Sequence, residues 1–142
     1  MPSEASSPAV SKRALWAGRT ISTVITLLLV LDAVMKFFKP KPVVDAFAHL
    51  GIPIELDFAI GTLLLLCTLL YAAPVTSILG AILLTGYLGG AVMSHLRAGD
   101  PLFTHVLFPT YLGSLIWLGL YLRDPRLRVL IPLRNRLGSN GN

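Results

Sequence analysis

Four apolar runs, each long enough to cross a bilayer as a helix, make up most of this chain and leave little room for another architecture. A spanning helix needs about 20 mostly apolar residues to cross roughly 30 Å of hydrocarbon. Residues 14–38, 56–73, 76–96 and 102–122 meet that requirement. Pro74 parts the second run from the third. The AGDP turn, with Gly99 and Pro101, closes the third and opens the fourth, which carries His105 and Pro109. No stretch alternates apolar and polar residues with period two, which argues against a β-barrel. The expected fold is all-α, a four-helix transmembrane bundle over residues 14–122, between a disordered polar tail (1–13) and a basic tail (123–142).

Composition agrees with lipid as the solvent. Charged residues are 13% of the chain and mean hydropathy is +0.73, whereas a soluble domain carries about 25% charged residues. The net charge of +5 does not indicate nucleic acid, because the basic residues sit at the ends of apolar runs, where membrane topology requires them. Cys67 is the only cysteine, so an intrachain disulfide and a CxxC pair are excluded, and it reads as a small buried hydrophobe. The run after Arg19 is long, lacks a cleavage site and precedes three more spans, so it is expected to be a retained helix rather than a signal peptide.

With four spans both termini share a side. That side holds Lys12, Arg13, Arg19, Arg123, Arg126, Arg128, Arg134 and Arg136, against Lys36, Lys39, Lys41 and Arg97 on the other. The excess predicts cytoplasmic termini. Trp16, Tyr71, Trp117 and Tyr121 are expected at the inner interface, where amphipathic rings sit. On the outer side KPKPVVDAFAHLGIP reads as a turn and a short helix ended by Gly51, with Asp45 and His49 one turn apart. LRDPRLRVLIPLRNR reads as a cytoplasmic tail whose arginines rest on anionic head groups.

Within the third run, GYLGG places Gly86, Gly89 and Gly90 where small residues let helices approach, with Gly80 on roughly the same side. Asp32 lies 13 residues beyond Arg19, about 20 Å along a helix. A carboxylate at that depth costs about 3 kcal/mol and needs a partner. Lys36, one turn on, is suitably placed. Asp57, at the start of the second span, is explained by the helix dipole, and Glu55 beside it is placed to meet Lys36 or Arg97. His95 and Arg97 leave the third span near the level of Asp32 and Lys36, with Tyr87 two turns before His95. Asp32, Lys36, Tyr87, His95 and Arg97 are therefore the candidate ligand-binding residues, the alternative for His95 and Arg97 being interfacial anchors. His49, His95 and His105 lack the helical spacing of a metal site, so no metal is expected.

LGAILLTGYLGGAVMSHLRAGDP and IWLGLYLRDPRLRVLIPLR, with LDAVMKF at the end of the first span and HLGIP before the second, resemble the DoxX-like family of small bacterial membrane proteins. The resemblance covers residues 15–134 and implies a four-helix bundle in the bacterial inner membrane. Some relatives in that family are associated with quinone-linked oxidation, so it also implies a redox-linked subunit with quinone as the cofactor to consider. The leading expectation is a membrane subunit or small enzyme binding a lipid-soluble ligand near the outer leaflet, with His95 exchanging protons and Arg97 holding a polar head. The rival is a non-enzymatic accessory or scaffolding subunit using the glycine-rich face. A third class is a small transporter, ranked last because Asp32 is shallow. Expected partners are the bilayer, a membrane or redox protein, or a second copy in a homo-oligomer.

Overall fold

In the computed structural model, which describes residues 10–131, all regular structure is helical. The helices are α1 (Lys12–Phe38), α2 (Lys41–Leu50), α3 (Asp57–Ala72), α4 (Ser77–Ala98), α5 (Phe108–Arg123) and α6 (Pro125–Leu130). Residues 1–9 of the expected N-terminal tail and 132–142 of the basic tail, with Arg134 and Arg136, lie outside the described residues. Helix α1 begins two residues before the expected boundary, because the Ser11 hydroxyl accepts the Ala14 N–H at 3.2 Å and so caps the first turn.

Four elements are long and apolar enough to span a bilayer, within Lys12–Phe38, Ile54–Ala72, Ser77–Ala98 and Leu102–Arg123. Two need help to reach that length. Helix α3 has 16 residues, about 24 Å, and a 3₁₀ turn at Ile54–Leu56 extends it by about 6 Å. Helix α5 also has 16 residues and is preceded by a π-helical turn, Leu102–Val106. The sequence had suggested one continuous fourth helix. The break falls where Pro109, lacking an N–H, is tolerated only in the first turn of α5.

The spans form a ring in which α1 packs on α3 and α5, and α4 packs on α3 and α5. Each contributes residues at spacings of three and four to one core: Ile25, Leu29 and Ala33 from α1; Leu64, Cys67 and Tyr71 from α3; Ala81, Leu84 and Leu88 from α4; Ile116 and Leu120 from α5. The outward surface is as apolar as the core. Leu27, Leu31, Leu63, Leu66, Leu69 and Ile82 are each more than half exposed, an arrangement stable only with lipid outside. The start of α1 and the end of α5 lie together, Gly18 being close to Arg123, and we call this the terminal end and the opposite one the α2 end.

Glycines set the closest helix approaches, though not the expected ones. A Cβ at Gly119 would lie 2.7 Å from Ser22 Oγ, and one at Gly18 2.9 Å from the Gly119 carbonyl, so α1 and α5 meet backbone to backbone. Gly61 brings α3 to 3.2 Å from the Ala33 carbonyl of α1, and Gly80 lies directly against the Tyr71 backbone. Gly86, Gly89 and Gly90 contact no other part of the described chain: a Cβ at any of them would meet nothing within 4 Å. Their spacings of three and four put them on the outward stripe of α4 with Ile82 and Met93, both exposed.

The aromatic residues also divide. Trp16 is exposed, but Tyr71 has no exposed surface. Its hydroxyl donates to the Ile116 carbonyl at 3.0 Å and sits 2.9 Å from Ser22 Oγ, so its polar tip is satisfied inside the bundle rather than at the interface. Trp117 Nε1 donates to Thr85 Oγ1 at 2.9 Å, which ties α5 to the middle of α4. The start of the basic tail folds back: Leu127 of α6 is buried, and Arg128 donates to the Tyr121 carbonyl at 2.9 Å.

Candidate functional site

Two glycines end helices at the α2 end. Gly51 and Gly99 both take left-handed φ values, 64° and 76°, which only glycine adopts without penalty. Gly51 stops α2, with Ile52 N–H returning to the Phe47 carbonyl at 2.9 Å, and Gly99 stops α4, with Asp100 N–H returning to the His95 carbonyl at 3.1 Å. The second cap fixes Asp100 beside the last turn of α4. Asp100 Oδ2 is 2.6 Å from His95 Nδ1, and Oδ1 is 2.6 Å from His49 Nε2 of α2.

One carboxylate is thus shared by two imidazoles from different helices. The hydrogen bonds from His95 and then His49 hold the Asp100 carboxyl below its ordinary value of 3.8, so it is ionised near neutrality and only accepts. Each ring nitrogen facing it therefore carries the proton. That assigns Nδ1–H to His95 and leaves its Nε2 without a hydrogen-bond partner among the described residues. His105 stands 6.2 Å from His95, ring centre to ring centre, with its Nδ1 2.8 Å from Thr104 Oγ1. No group of three or more His, Cys, Asp or Glu side chains among the described residues is arranged to hold a metal ion.

Asp32 and Lys36 form an ion pair of 2.7 Å, in which Lys36 is nearly buried and Asp32 half exposed. Lys36 continues the inward stripe of α1 into the seam with α3, its Cβ 3.1 Å from the position a Cβ at Gly61 would take. Tyr87 is partly buried against the core and within electrostatic reach of Asp32. Arg97 donates to the Leu50 carbonyl at 2.9 Å and so pins the C-terminus of α2. The five candidates therefore fall into an Asp32–Lys36–Tyr87 group and a His95 group, with Arg97 of α4 bonded to the end of α2. No ion pair or hydrogen bond among the described residues joins the first two.

Three partners were not legible as site residues. Asp100 had been read only as part of a turn, although a carboxylate one residue beyond a glycine helix stop is set to fold back on the last turn. His49 reaches Asp100 across 51 residues, and nothing in local spacing signals such a pairing. Asp57 is fully buried: Oδ1 accepts the Phe58 N–H at 2.6 Å, and Oδ2 lies 3.1 Å from Lys39 Nζ. Lys39 adopts a positive φ of 49° to end α1 there. Glu55 meets neither Lys36, which pairs with Asp32, nor Arg97, which bonds to α2.

At the terminal end, Arg123 donates to the Tyr71 carbonyl at 2.8 Å and lies 4.9 Å over the Tyr71 ring. Asp124 accepts from Ser77 at 3.3 Å and from Arg126 at 2.7 Å, and Arg126 reaches the Pro74 carbonyl. The Arg126 guanidinium holds the Asp124 carboxyl below its ordinary value. Two open clefts of about 420 and 150 Å³ lie at this end, both bordered by Arg123.

A ring of four apolar helices with leucines facing outward defines a multi-pass membrane protein. The chain belongs to the DoxX-like family, whose model matches residues 20–119. No curated protein and no solved structure matches it significantly.

Proposed function

We propose that this protein binds the polar head of a lipid-soluble ligand, a quinone by preference, at the α2 end and serves as a redox-linked subunit of the bacterial inner membrane. In this reading both termini are cytoplasmic and the α2 end faces the outer leaflet, as the excess of basic residues near the termini favours. The observation that carries the proposal is the sharing of Asp100 by His95 and His49 at 2.6 Å each. A carboxylate behind an imidazole fixes its tautomer and the orientation of its ring. His95 Nε2 would then accept a proton from a quinol hydroxyl, or in its protonated form donate to a quinone carbonyl, while the isoprenoid tail stays in lipid. Arg97, still carrying unused donors, and the Asp32–Lys36 pair would make the surroundings polar.

The test is purification in lipid nanodiscs followed by solvent extraction, with the quinone counted per chain. A stoichiometric quinone lost in His95→Ala and reduced in Asp100→Asn, with both variants still folded, is the expected result. Equal quinone in all three proteins, at the level of bulk membrane, would sink the proposal.

A second reading has its own observation. Gly86, Gly89 and Gly90 leave a bare stretch between Ile82 and Met93 on the outward face of α4, uncovered by the described residues, and each glycine in a helix costs about 1 kcal/mol relative to alanine. A partner helix seated there, from another membrane protein or a second copy, would recover that cost in close packing. Under this reading the chain is an accessory subunit, and Gly90→Leu should strip a stoichiometric partner that survives purification of the unaltered protein.

A further inference from the structure

The basic cleft at the terminal end is unconnected with the histidine cluster and has its own chemistry. Its lining includes Arg19 from α1, Arg123 from the end of α5 and Arg126 from α6, against the single carboxylate of Asp124. Only Arg126 forms an ion pair with that carboxylate. Arg123 spends one Nη on the Tyr71 carbonyl, and its Nε is buried without any hydrogen-bond partner. Arg19 has no ion-pair partner among the described residues. Two positive charges in the cleft are therefore uncompensated, and a buried guanidinium donor left unsatisfied is costly.

The smaller cleft shares Arg123 with the larger one and is lined along α1 by Thr23, Thr26 and Leu27 and on α3 by Ala72. The hydroxyls of Thr20, Thr68 and Thr85 donate to the carbonyl four residues back. Thr23 and Thr26 line the groove, and their hydroxyls make no hydrogen bond among the described residues. A cationic mouth, unsatisfied hydroxyls just inside it, and then Leu27 give the profile of a lipid molecule: phosphate, glycerol ester, acyl chain.

We propose that this cleft holds the phosphate head of an anionic phospholipid between Arg19 and Arg123, with its glycerol ester against Thr23 and Thr26 and one acyl chain along Leu27. Basic pockets between spans on the cytoplasmic side capture anionic head groups by this combination of charge and donors. The occupant fills the space between α1 and the α3–α4 turn and cements the terminal end.

The experiment uses the full chain in nanodiscs of phosphatidylcholine doped with phosphatidylglycerol, followed by native mass spectrometry of the lipid retained after transfer to detergent. One phosphatidylglycerol per chain should persist, Arg19→Gln should reduce its retention about fivefold, and Arg19→Lys should keep most of it. Thr26→Val, which leaves every charge in place, should cause a smaller loss and decides the matter if Arg19→Gln does not fold. Equal retention of phosphatidylcholine, or unchanged retention in both Arg19→Gln and Thr26→Val, overturns the proposal. Displacement of the lipid by inorganic phosphate alone would assign the site to a soluble anion and overturn it as well.

Discussion

At the terminal end the Tyr71 hydroxyl, with no exposed surface, is bonded to both Ser22 and Ile116, while at the α2 end the Asp100 carboxylate is shared by two histidines, one of them 57% exposed. The first arrangement joins three spans through short neutral hydrogen bonds in the interior. The second joins a peripheral helix to the bundle through ionisable groups that water and protons can reach. Removing a buried partner leaves another buried group unsatisfied, whereas an exposed ion pair is replaced by water at small cost. This contrast predicts that α2 detaches at lower cost than the four spans separate.

The sharpest way to break this comparison is through the glycines. Gly80→Leu forces a side chain into the Tyr71 backbone at the α3–α4 turn, where neither helix can retreat, and should cost about 3 kcal/mol. Gly86→Ala meets open space and should be neutral or stabilising by up to about 1 kcal/mol. Denaturation in mixed detergent micelles, followed by circular dichroism, separates the two. Equal destabilisation by both would mean that α4 is covered on its outward face and that the ring described here is incomplete.

Tyr71→Phe probes the same end more gently. It removes the donor to Ile116 and leaves the Ser22 hydroxyl without its partner. The expected loss is about 1–2 kcal/mol, at the upper end of what polar contacts contribute inside membranes. Restoring solvent access is no remedy there, so Ser22→Ala in the Tyr71→Phe background should recover part of the loss. A loss no smaller in the double variant than in Tyr71→Phe would show that the Ser22–Tyr71 contact carries no coupling.

How far the sequence could be read follows the same division. Hydropathy alone located the four spans, because the solvent imposes length and apolarity on every residue of a helix. It located Asp32 and Lys36 as a pair because they are one helical turn apart. It did not distinguish Gly80, which touches Tyr71, from Gly86, which touches nothing: small-residue spacing says that a helix can be approached and not by what. Nor did it place Tyr71 inside, since an aromatic residue near a span's end suits the interface equally well. The His49–Asp100 pairing depends on how α2 is laid across the bundle, and that is settled by tertiary packing rather than by any local pattern.

The smallest expected effect concerns α2 alone. Its contacts include Asp100, just past the glycine stop of α4, through His49, and Arg97 of α4 through the Leu50 carbonyl, and only the first depends on pH in the acid range. Because the folded state lowers the Asp100 pKa from its ordinary 3.8, the unfolded or detached state binds the proton more readily. The stabilisation is therefore complete above pH 3.8 and is lost as pH falls through the lowered folded-state value. Hydrogen exchange of the α2 amides, corrected for intrinsic rates, should show protection that drops in that window while the amides of α3 and α4 keep theirs. Asp100→Ala should abolish the drop and give the lower protection at every pH, and Arg97→Ala should lower protection uniformly while preserving the pH step. Simultaneous loss of protection in α2 and in the four spans would refute the claim that α2 detaches at lower cost than the spans separate.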